Sequence, residues 1–137
     1  MNTYDTLTVG DRFAYTRTIS MDDVRAFADV SGDDNPIHLD PEYAAIHAPG
    51  GTVIVHGALL ASVISKVLGR DFPGPGCVAV SLSCKFLRPV PVGSEVTFEV
   101  QVFEKRERFG HILMKVYAYV NGKTVMGGDA VLIPPKG

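Results

Sequence analysis

From Val78 onward, apolar and polar side chains alternate in the way that predicts antiparallel strands. Val78, Val80, Leu82, Cys84 and Phe86 alternate with Ala79, Ser81, Ser83 and Lys85, which predicts a long half-buried strand. Val96, Phe98, Val100 and Val102 repeat the period, as do Ile112, Met114, Val116, Ala118 and Val120. Asn121-Gly122 is a hairpin signal, and the segment from Thr124 to Ile133 returns as a last strand, with Gly127-Gly128 marking a bulge or a close contact. The first half of the chain follows a different period. Arg12 to Ile19 is a strand candidate with Phe13, Tyr15, Arg17 and Ile19 on one face. Ser20 then offers an N-cap with Asp23 three positions on, and Val24, Phe27, Ala28 and Ser31 recur at helical spacing, so a helix delivers the chain to Asp33. Asp40-Pro41-Glu42 is an N-cap followed by a proline at the first helical position, predicting a short helix through Tyr43 to His47 that Ala48-Pro49-Gly50-Gly51 breaks. From His56 to Leu68 the residues are apolar almost all round, which predicts a buried helix, with Gly69 suited to its C-terminal cap. Helices gathered early and antiparallel strands late predict an α+β fold in one domain over residues 1–137, a central helix wrapped by a curved antiparallel sheet.

Composition narrows the function classes. With 46% hydrophobic and 20% charged residues, the 137-residue chain is globular rather than disordered and has room for one site on one fold. A formal charge of −2 carries no basic excess, which argues against nucleic acid or an anionic membrane surface as a partner and leaves any phosphate binding to local basic groups. Cys77 and Cys84 fall on one predicted strand, too far apart for a disulfide, and read as free thiols in a reducing compartment; no zinc-ligand spacing is present. Met1 to Gly10 lacks an apolar signal core and no apolar run approaches membrane-spanning length, so the expected location is cytoplasmic.

The candidate chemistry lies in Val30-Ser31-Gly32-Asp33-Asp34-Asn35-Pro36-Ile37-His38. Gly32 can end the preceding helix at positive φ, Pro36 restricts both itself and Asn35, and Asn35 can bond nearby backbone. These restrictions can aim Asp33 and His38 at one point. A carboxylate and an imidazole around one water form a proton-transfer pair suited to adding water to a double bond or removing it. The same residues equally fit a helix C-cap and turn with solvated side chains.

The run from Phe27 to Ala44, with Ser31-Gly32-Asp33, Asn35-Pro36 and His38, resembles the signature of the (R)-specific enoyl-CoA hydratases, members of the MaoC-like dehydratase group of hot-dog-fold proteins. Ile54-Val55-His56-Gly57, continuing through Leu59-Leu60-Ala61-Ser62 to Ser65, is a second matching block, and Phe86-Leu87-Arg88-Pro89-Val90 with Val92-Gly93 is a third, weaker one. The resemblance implies reversible hydration of a trans-2-enoyl-CoA to the (R)-3-hydroxyacyl-CoA. It puts Asp33 and His38 on the water and the Gly57 amide on the thioester oxygen, and it needs no metal or redox cofactor. It further implies that Asn35 anchors the loop and that Ser65 supports the pair, although a serine in a buried helix can equally bond the carbonyl four residues back. His56 shapes the start of the central helix, Tyr43 packs, and neither His47 nor His111 has motif support. Lys66, Arg70, Lys85 and Arg88 are candidates for the CoA phosphates and equally for solvated surface charges. The chain departs from the family in having Thr52-Val53 where Arg-Pro is common and Ala58 where methionine is common, which would leave room for an acyl chain beside Ala58. A homodimer is implied, because the fold pairs its sheets edge to edge, with the substrate tunnel near that interface. Two alternatives stay open: dehydration of acyl-carrier-protein thioesters or of branched or dicarboxylic acyl-CoA, and an acyl-CoA-binding structural subunit. A hot-dog thioesterase would not need the Asp33/His38 loop.

Overall fold

The computed structural model describes residues 1–136. Five strands form one antiparallel sheet in the order β1-β3-β4-β5-β2: β1 (Arg12–Thr18), β2 (Val78–Phe86), β3 (Glu95–Arg106), β4 (His111–Val120) and β5 (Lys123–Ile133). The predicted alternation places the core. Val96, Phe98, Val100 and Val102 on β3 and Ile112, Met114, Val116 and Ala118 on β4 are fully buried on one face. Against that face lies α4 (Gly57–Lys66), which buries Leu60, Val63 and Ile64. The sheet around this helix is the α+β hot-dog architecture that the sequence implied. None of the described helices is long and apolar enough to cross a membrane.

Local signals placed most of the other elements. Ser20 and Asp23 form a reciprocal capping box that starts α1 (Met21–Ser31). Asp40 accepts from the amides of Glu42 and Tyr43 to start α3 (Pro41–His47). Asn121 (φ 51°) and Gly122 (φ 75°) make the tight turn from β4 to β5, whose left-handed pair matches the strand twist.

Of the two readings of Gly127-Gly128, the close contact holds: a Cβ on Gly128 would overlap the Ser83 carbonyl oxygen. Two expectations change. Gly69 does not cap the central helix: the chain runs on through a wider turn over Val67–Asp71, and the amides of Phe72 and Gly74 reach the carbonyls of Val67 and Leu68 at 2.8 and 2.9 Å. The strand predicted as half-buried, β2, lies at the sheet edge in a single chain, with Val78 61%, Val80 52% and Phe86 52% exposed. Cys77 precedes that strand and Cys84 lies within it; both are free, and partial burial raises each thiol above its ordinary range, so neither is an activated thiolate.

The connection before α4 ties the parts together. Within it, the Ile54 amide donates to Ile37 O (3.1 Å) and the Val55 amide to Val90 O (2.8 Å), while the Val92 amide donates back to Val53 O (3.0 Å). Residues 53–55 thus form a short ribbon between the loop that follows α1 and the segment that follows β2.

Candidate active site

The loop after α1 is held by its own side chains. Gly32, at φ 79°, ends the helix, and its amide reaches Ala28 O. Ser31 Oγ donates to Phe27 O (2.6 Å) and accepts from the Asp33 amide (3.1 Å). Asp33 Oδ1 accepts from the Asn35 amide (3.3 Å), and Asn35 Oδ1 accepts from the Ile37 amide (3.2 Å). Asn35 is therefore an anchor, and it also caps a one-turn helix, α2 (Pro36–Leu39), where the sequence had suggested only loop. Ser31 is a second anchor: its helical spacing fits a helix face, and its hydroxyl also closes a turn onto the amide two residues on.

His38, on α2, is buried at 7% exposure, and its Nδ1 lies 2.7 Å from Ile54 O. A carbonyl can only accept, so His38 donates from Nδ1, and in the neutral ring the free lone pair is on Nε2. The ring borders a cavity of about 300 Å³ whose walls include Ile54, Gly57, Phe86, Leu87 and Arg88. Ligating atoms of Asp33, His38 and His56 come within 4.8 Å of one another. The two rings are stacked at 3.9 Å, 26° from parallel, so their in-plane lone pairs run side by side and suit a shared metal ion poorly.

Gly57 opens α4 directly beside His38. The backbone of His56 is extended, the first helical amides point outward, and those of Gly57 and Ala58 meet no acceptor among the described residues. They are available to an anionic oxygen. The Phe86 ring lies over the Gly57 Cα, so that a Cβ there would come within 2.9 Å of it.

The remaining candidates are scattered. Ser65 lies two turns beyond Gly57, about 12 Å along the helix axis, on a separate groove with Leu68, Cys77 and Ala79. A single chain does not bring it to Asp33 and His38. Ala58 is exposed and outside the walls of the His38 cavity, so the acyl wall expected of it is not formed within one chain. Lys66 is engaged elsewhere: its Nζ bonds Asp71 at 2.8 Å and sits 3.4 Å from the centroid of the Tyr15 ring. Arg70 and Lys85 are exposed away from the cavity, and of the four basic candidates only Arg88 borders it.

This geometry sits within a known set of proteins. Residues 8–124 match the MaoC like domain. A 3-hydroxybutyryl-CoA dehydratase of Methylorubrum extorquens is 38% identical over 133 residues, covering 97% of this chain and 84% of the relative. An (R)-specific enoyl-CoA hydratase of Aeromonas caviae is 38% identical over 130 residues, 93% of this chain and 96% of its own length. The crystallised R-hydratase PhaJ1 of Pseudomonas aeruginosa, in its unliganded form, superposes with a TM-score of 0.93 at 35% identity, over 98% of this chain and 86% of that one. By domain, by sequence over nearly its whole length and by fold, this chain belongs to the MaoC-like family.

Proposed function

We propose that the chain is an (R)-specific enoyl-CoA hydratase, a hydro-lyase that adds water reversibly to trans-2-enoyl-CoA. The observation that carries this reading is that ligating atoms of Asp33 and His38 come within 4.8 Å of each other, with His38 on the wall of a cavity that Gly57 also lines. A water between the two side chains loses a proton to the pair as its oxygen bonds to C3. The double-bond electrons move toward the thioester oxygen, where the Gly57 amide stabilises the negative charge, and the pair returns a proton to C2. One H and one OH have then been added from one side, and both residues are reset. Arg88, at the cavity rim, is the basic group best placed for a CoA phosphate. Purified protein is expected to consume crotonyl-CoA and yield only the (R)-3-hydroxy product by chiral analysis. No turnover, or the (S) product, would reject the proposal.

The active form is a homodimer joined through β2. An edge strand that exposes Val78, Val80 and Phe86 leaves unpaired backbone groups beside an apolar strip, and a second copy would satisfy both. Sedimentation of the native protein is expected to give a dimer at micromolar concentration, and the Val80→Lys/Leu82→Lys variant a monomer. A native monomer with full activity would contradict this.

A further inference from the structure

We infer that His56 is a positioning residue of the hydration site, its Nε2–H holding the backbone carbonyl of Asp33 while its ring sets the plane of His38. This rests on the hydratase reading and adds to it a residue that touches no reacting atom. His56 is 1% exposed at the N-cap of α4, yet its side chain makes no capping bond. Instead Nε2 lies 2.9 Å from Asp33 O, 23 residues earlier in the chain. Because that oxygen only accepts, a proton is on Nε2, and Nδ1 is left buried with no partner among the described residues. An orphaned buried nitrogen is a cost that a phenylalanine or leucine in the same space would avoid. Packing therefore does not account for a histidine here, whereas the donor to Asp33 does.

The ring packs against Phe27, at 4.9 Å and 58°, and against His38, at 3.9 Å and 26°. His38 is thus fixed along its edge by Ile54 O and across its face by His56, while the same His56 ring tethers the residue that bears the carboxylate. His56 thus links the residue that bears the carboxylate to the face of the imidazole.

His56→Phe keeps the stacked ring and deletes the donor. The expected result is a kcat for crotonyl-CoA lowered about ten- to a hundredfold, as for a small misplacement of reacting groups, with KM nearly unchanged. His56→Gln restores an N–H near the Nε2 position but loses the ring face against His38, so it is expected to recover only part of that loss. An unaffected His56→Phe, or a His56→Gln with wild-type kcat, would overturn the inference. Nitrogen-15 imidazole spectra of the wild-type protein test it without any variant: Nε2–H on His56 together with Nδ1–H on His38 is expected, and Nδ1–H on His56 would overturn it. A wild-type chain that hydrates no enoyl-CoA overturns both readings, whereas an active wild type with an unaffected His56→Phe overturns this one alone.

Discussion

Asp33→Asn and His38→Gln are each expected to slow crotonyl-CoA hydration by about two to four orders of magnitude, the range for a lost general acid or base. Each substitution spares the local structure. Asparagine retains the oxygen that accepts from the Asn35 amide, so the loop keeps its turn. Glutamine keeps a polar amide near the Nε2 position but offers no basic nitrogen to a water. The double variant should lose little beyond the worse single one, because two groups acting on one water fail as a unit. Thermal melts of all three should stay close to wild type. Near-normal turnover in either single variant would remove Asp33 and His38 from the chemistry while leaving the family assignment in place.

Gly57→Val is expected to lower turnover about a hundred- to a thousandfold, the cost of one lost oxyanion donor. Two mechanisms would produce a loss, since a side chain at this position both blocks the path to the amide and collides with the Phe86 ring. Gly57→Val/Phe86→Ala separates them. The double variant removes the collision, so an activity that stays low identifies the blocked amide, and one that returns identifies the displaced ring. Wild-type rates in Gly57→Val would refute the oxyanion role without touching the acid–base pair.

How far the sequence could be read depended on how far each interaction reaches along the chain. The Ser20/Asp23 box, the Asp40-Pro41 helix start and the Asn121-Gly122 turn are completed within four residues, and each was legible. The one-turn helix at Pro36 was hidden because Asn-Pro serves both as a loop signal and as a cap followed by a first helical residue. The Gly127-Gly128 pair signalled a bulge or a close contact, but the choice between them depends on Ser83 in the neighbouring strand, and the exposure of β2 depends on an edge position that no local pattern encodes. The site divides in the same way. Asp33 and His38 share one short loop and were visible together, whereas the tie from His56 to Asp33 and that from Ile54 to His38 cross the fold. Ser65 was associated with the pair by motif, but it lies eight helical positions beyond Gly57, and folding one chain does not close that gap.

The ribbon at residues 53–55 has an evolutionary implication. It hydrogen-bonds on one side to Ile37 and His38 and on the other to Val90 and Val92, next to the stretch that supplies Phe86, Leu87 and Arg88 to the cavity. On the proposed reading, recognition of the acyl thioester and orientation of His38 are therefore not independent modules. A lineage that remodels residues 86–92 to admit a different acyl group also shifts the carbonyl that fixes the His38 tautomer. Compensating changes in Val53, Ile54 and Val55 should accompany such a switch in substrate range, and grafting the pocket wall alone between relatives should transfer specificity only at a loss of rate.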